Sequence, residues 1–158
     1  MKLWIIYQSG FLFSKVIAET LQDRLENYID VSVGKADKID PSFIIEEKSD
    51  YLILGDVVNE PLPSVLMQNW VQKYGQIAKS NNLILKALSG FIISFNKKVK
   101  PDPVWVDFIH KNIMIEGINP PIICLHFGNY DLKLDSGVYE IIKDYSNKII
   151  EFLTDISD

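Results

Sequence analysis

Hydrophobic residues along this chain fall into short solid runs, separated by longer stretches with helical spacing. Residues 3–7, Leu-Trp-Ile-Ile-Tyr, are apolar at every position, as a strand covered on both faces requires. Over 15–26, Ile17, Leu21 and Leu25 recur every four residues, which predicts an amphipathic helix with Ser14 placed to cap its first N–H groups. Residues 28–33 alternate only in part and predict a second strand at a sheet edge. Pro41 opens a short helical turn over 41–48, and 51–55 is a third strand. A helix starts near Pro63 or Ser64, with Leu66, Trp70, Tyr74 and Ile77 on one face. Ser80-Asn81-Asn82 then suggests a break, and 83–88 a last helical piece that Gly90 ends in the left-handed conformation. A fourth strand follows at 91–95. A short helix over 104–113 carries Trp105, Phe108 and Ile109, and 122–127 is a fifth strand. The final helix, 138–153, turns Val138, Ile142, Tyr145, Ile149 and either Phe152 or Leu153 inward.

Strands alternating with helices are the mark of βαβ units around a parallel sheet. We therefore expect one three-layer α/β domain over 1–158, a doubly wound parallel sheet of five strands, for which the common solutions at this size include the order 2-1-3-4-5. A ligand site would lie beyond the carboxyl ends of the strands, at the switch between the first and the third. The loops there are 8–14, 56–61, 96–103 and 128–133.

Charge and composition narrow the partners. The net charge is −5 and a single arginine, Arg24, stands among sixteen basic residues, which disfavours nucleic acid, where arginine is the usual grip. Lys97, Lys98 and Lys100 read as a solvated loop. The one cysteine, Cys124, excludes an intrachain disulfide, fits a reducing compartment and reads as a small core residue. The apolar run at the start is too short for a signal peptide or a membrane span, so we expect a cytoplasmic protein with no integral membrane segment. His110 and His126 lack partners at metal-ligand spacing. No Walker loop, no G-x-G-x-x-G and no nucleophile elbow occurs.

The first loop reads Tyr7-Gln8-Ser9-Gly10-Phe11-Leu12-Phe13-Ser14-Lys15-Val16-Ile17-Ala18. It resembles the phosphate loop of flavodoxins, with Ser9 and Ser14 on the first and last hydroxyl positions and Ala18 on the small helix residue. Asp50-Tyr51-Leu52-Ile53-Leu54-Gly55 resembles the third strand of the same family. The stretch from Ile123 to Asp131 is similar to the last strand and turn of flavodoxin-domain proteins close to menaquinone-dependent protoporphyrinogen oxidase. The resemblance implies FMN as cofactor, and a redox partner protein or a quinone-like small molecule as partner. Carried onto this chain, it places the phosphate at Ser9, Gly10, Phe11, Phe13, Ser14 and Lys15, and the flavin ring near Val58, Asn59, Phe95, Asn96, Gly128 and Tyr130. Asn59 could take a left-handed angle beside the ring. Asp56, Glu60, Asp102 and Asp131 read as solvated acids around the mouth, where they would disfavour an anionic reduced flavin.

One departure divides the reading. The family has a threonine where Phe11 stands and a glycine where Leu12 stands. A phosphate needs converging N–H groups, small hydroxyls and close backbone approach, and Phe11-Leu12-Phe13 supplies bulk. Two functions are therefore expected: an FMN-binding redox protein, in electron transfer or quinone-linked oxidoreduction, or a flavin-free interaction or regulatory module with a degenerate phosphate loop.

Overall fold

The structure is a computed structural model and describes residues 1–96, 98, 102–116, 122–126 and 136–157. In chain order the elements are β1 (Lys2–Tyr7), α1 (Leu12–Leu25), β2 (Asp30–Lys35), α2 (Pro41–Glu46), β3 (Tyr51–Val58), α3 (Val65–Ser80), β4 (Ala87–Ser94), α4 (Asp102–Asn112), β5 (Ile123–His126) and α5 (Ser136–Ser157). The five strands pair in parallel in the order β2-β1-β3-β4-β5, as the sequence pattern predicts.

Strand side chains alternate between two cores. Leu3, Ile5 and Tyr7 of β1, with Tyr51, Ile53, Phe91 and Ile93, meet α1 and α5 through Ile17, Leu21, Ile142, Tyr145 and Ile149. Trp4, Ile6, Leu52, Leu54 and Ile92 face the other way, onto Met67, Trp70, Val71, Trp105 and Ile109. Burial on both faces explains why β1 reads as unbroken apolar sequence rather than as an alternation. Arg24 links α1 to α5, its guanidinium donating to the Ser146 hydroxyl and, at 3.0 Å, to Asn147 Oδ1.

Several boundaries differ from the pattern reading. Residues 83–88 are not helical: α3 stops at Ser80, Asn82 takes φ 54°, and the chain enters β4 at Ala87. Gly90 is not a helix end. It lies inside β4, where a Cβ would stand 2.8 Å from the Trp105 ring and 2.9 Å from the Leu54 carbonyl oxygen. The buried face of α3 is Met67, Trp70, Val71, Tyr74, Gly75 and Ala78. Leu66 is 36% exposed and Ile77 half-buried. Cys124 is only partly buried, with Sγ 3.7 Å from His126 Nε2.

Candidate functional site

The carboxyl ends of β1, β3 and β4 meet where strand order reverses. From Tyr7 the chain crosses over β3, the Gln8 N–H donating to the Gly55 carbonyl at 2.8 Å. The Gly10 N–H is taken by the Gln8 side-chain oxygen at 2.8 Å. Helix α1 then begins earlier than its sequence spacing indicates. Its N-cap is Phe11, in an extended conformation and with no side-chain capping bond. Ser14 is therefore not the cap: it lies in the first turn, fully buried, its N–H donating to the Phe11 carbonyl at 3.1 Å. Its Oγ has no hydrogen-bond partner among the described residues.

Phe11 dominates this end of the sheet. It is 9% exposed and belongs to the core with Phe91 and Ile93. Its ring meets Phe13 at 5.1 Å and Phe95 at 4.9 Å, both edge to face, a favoured aromatic geometry. Phe95 follows β4, and β3 lies between β4 and β1. The Phe11–Phe95 contact thus spans the crevice above β3. Of the three bulky residues Phe11 is core, Phe13 is half-buried and Leu12 is exposed.

The other candidates occupy separate environments. Ser9 is exposed and its hydroxyl reaches Asp37 Oδ1 at 3.5 Å. Lys15 points outward and pairs with Glu19 at 3.8 Å. Val58 is buried in the opposite core, and Asn59 is exposed without a left-handed φ, which among the described non-glycine residues occurs at Lys48 and Asn82. Phe95 is half-buried. Asn96 closes a turn, its N–H donating to Ser94 Oγ at 3.2 Å. Gly128 and Tyr130 lie outside the described residues.

Asp56 is not a solvated loop acid. It sits at 0% exposure near the end of β3. Its carboxylate accepts from the Val57 N–H at 2.9 Å, the Ser64 N–H at 2.9 Å, the Ser64 hydroxyl at 2.6 Å and the Trp105 indole at 3.1 Å. Burial nevertheless raises its pKa above the ordinary value, against the pull of those four donors. Ser64 also caps α3, so this one side chain joins β3, the 59–64 loop, α3 and α4. An acid inside the apolar run Leu54 to Val58 is the sequence signal for it.

The donor set does not fit a flavin phosphate in this arrangement. Of the two hydroxyls, one bonds Asp37 and the other is sealed in the core. The Gly10 N–H is already bonded, and the crevice holds an aromatic ring where a dianion would need polar groups. A different concavity survives at the same end of the molecule. A cleft of about 530 Å³ lies between the β2–α2 connection and α3. No sequence motif marks it.

No family model and no curated protein matches the chain. Solved structures do. A flavodoxin from the domain Archaea superposes over 98% of this chain and 99% of its own, with TM-score 0.70 and 15% identity. The fold is flavodoxin-like. A flavone reductase matches with TM-score 0.71 and 13% identity, over 99% of this chain and 64% of its own. Rubredoxin oxygen:oxidoreductase from Desulfovibrio gigas matches with TM-score 0.68 and 14% identity, and this chain spans only 36% of its length. At such identities the likeness speaks for the fold alone. None of the described helices is long and apolar enough to cross a membrane.

Proposed function

We propose that this chain is a flavin-free flavodoxin-fold module, a binding or regulatory protein whose phosphate cradle has become part of its hydrophobic core. The observation that carries the reading is Phe11, buried at the head of α1 and packed across the crevice onto Phe95. Burying a large aromatic side chain contributes roughly 2–3 kcal/mol. A phosphate entering there would forfeit that contribution, and would find Ser9 turned to Asp37 and the Ser14 hydroxyl sealed in the core.

A second reading is an FMN-dependent redox protein, in electron transfer or quinone-linked oxidoreduction, served by a redox partner protein or a quinone. It is supported by the names of the structural neighbours, which include flavodoxins, a flavone reductase and flavodiiron proteins. It also draws on Ser14, whose buried, unpartnered hydroxyl sits in the first turn of α1. The finer likeness to the branch near menaquinone-dependent protoporphyrinogen oxidase rests partly on residues 127–131, outside the described set. Under either reading we place the protein in the cytoplasm, on its single cysteine.

An absorption spectrum of freshly purified protein, followed by FMN titration, separates the two. The module reading expects no flavin bands and no saturation. Tight saturable binding to the unaltered chain overturns it. Phe11→Thr with Leu12→Gly should raise FMN affinity at least about tenfold, a gain of about 1.4 kcal/mol, if the aromatic plug is the obstacle. No gain would show that the plug is not what excludes the flavin.

A further inference from the structure

One edge of the sheet is an open strand. β2 pairs with β1 alone, and the register says which of its backbone groups that pairing uses. Tyr7 stands opposite Lys35, and the Ala36 N–H donates to the Tyr7 carbonyl at 2.9 Å. Successive residues of a strand turn their backbone groups to opposite sides, so Ser32, Gly34 and Ala36 face β1 while Val31, Val33 and Lys35 face outward. The Lys35 carbonyl closes the following turn, accepting from the Lys38 and Ile39 N–H groups. The Val31 carbonyl is met only by the Gln22 amide at 3.4 Å, longer than an ordinary hydrogen bond. The Val33 N–H and carbonyl and the Lys35 N–H have no partner among the described residues.

Such an edge is a template for another strand, and folded proteins blunt it with proline, a bulge or an inward-pointing charge. β2 reads Asp-Val-Ser-Val-Gly-Lys, with charge at its two ends only, and its register with β1 is unbroken from Asp30 to Lys35. It has six residues where the other edge, β5, has four. Apolar surface reaches it on both faces. Val31 and Val33 are half-buried against one core. On the other face Phe43, 44% exposed, stands edge to face on Trp4, the β1 neighbour of Ser32. Asp30 and Lys35 are exposed, and neither forms an ion pair among the described residues. The strand is therefore acidic where it starts and basic where it ends. An antiparallel copy sets each acidic end beside a basic one, and a parallel copy in register sets like beside like. The stripe of α1 that carries Gln22 adds no single-sign field, since its Lys15 and Glu19 already pair with each other.

We propose that β2 pairs antiparallel with β2 of a second copy of this chain, about a two-fold axis at Val33, joining the two sheets into one. The two Val33 residues exchange both of their backbone hydrogen bonds, and each Lys35 N–H donates to the Val31 carbonyl of the other copy. Asp30 then lies opposite Ala36 of the other copy, next to its Lys35. The closed symmetry uses up the free edge of both copies. This contact lies at the sheet edge and not at the plugged crevice, so it holds whether or not flavin binds.

Sedimentation equilibrium of the full chain, with amide-resolved hydrogen exchange across a concentration series, tests it. The contact is small, so a Kd on the order of 0.1 mM is expected. Raising the concentration should slow exchange at the Val33 and Lys35 amides and leave Ser32 and Gly34, already held by β1, unchanged. Val33→Pro removes an outward donor and no bond to β1, as an edge strand tolerates, and should weaken dimerisation by at least about tenfold. Circular dichroism checks that this variant folds. Asp30→Lys and Lys35→Asp sit at the exposed strand ends and keep the test sound if it does not. Each alone should weaken the dimer roughly threefold at low salt, and the two together should restore it. A monomer at about 1 mM would overturn the proposal and leave the edge to an extended segment of another protein. Protection centred elsewhere, or charge variants whose combination fails to recover the dimer, would overturn it as well.

Discussion

Phe11 shows how one residue changes the chemistry of a whole end of the sheet. Had it been an exposed loop aromatic, its removal would cost within about 0.5 kcal/mol. Because it is buried against Phe91 and Phe95, Phe11→Ala should cost about 3 kcal/mol in urea unfolding, the range for a core aromatic. Asp56 gives a prediction of the opposite kind, read through pH. Its folded pKa lies above its unfolded one, so the folded state holds the proton more tightly and the acid's contribution to stability is full below the unfolded value. That contribution is lost as pH rises through the folded value. Comparing wild type with Asp56→Asn, whose side chain does not titrate, the wild type should gain relative stability as pH is lowered from neutral towards 4. A difference that grows as pH rises would reverse the assignment. The residue types at both positions were visible in the sequence. Their burial was not, because it depends on Phe95, Ser64 and Trp105 arriving from distant segments.

Helix starts and stops were legible only where local chemistry decides them. Ser64 caps α3 and Pro41 opens α2, as serine and proline at those places suggest. α1 departs from this rule, since its start is set by where Phe11 must be buried and not by a capping hydroxyl. The run from Leu83 to Leu88 reads as a last helical piece, which is wrong: short apolar runs do not separate helix from strand, and pairing with β3 makes this run the approach to β4 and its start. Helix-to-helix contact supplies a further prediction. A Cβ on Gly75 would lie 1.9 Å from the Asn112 carbonyl oxygen. Alanine is favoured over glycine within a helix by about 1 kcal/mol, but overpacking costs about 1–3 kcal/mol, and against backbone the upper end applies. Gly75→Ala should therefore lower the thermal midpoint through the α3–α4 contact. An unchanged or higher midpoint would mean that the two helices can move apart freely.

Over the whole molecule, the order of strands was readable because few arrangements satisfy it. Solid apolar runs require a sheet covered on both faces, and right-handed crossovers leave few connections between five such strands. The layering follows from patterning, the motif resemblance narrowed it to the flavodoxin-like order, and that fold is shared at 11–15% identity with the structural neighbours. The site does not follow in the same way. Ser9 and Ser14 sit five residues apart and look like two ends of one loop, yet the first reaches Asp37 at the surface and the second is sealed in the core. The cleft between Lys38 and Trp70 joins segments some thirty residues apart. Periodicity records which face of an element is buried, so the sequence by itself determined the elements and their layering. Only the tertiary structure decided which side chains converge, because convergence depends on distances between segments that no local pattern encodes.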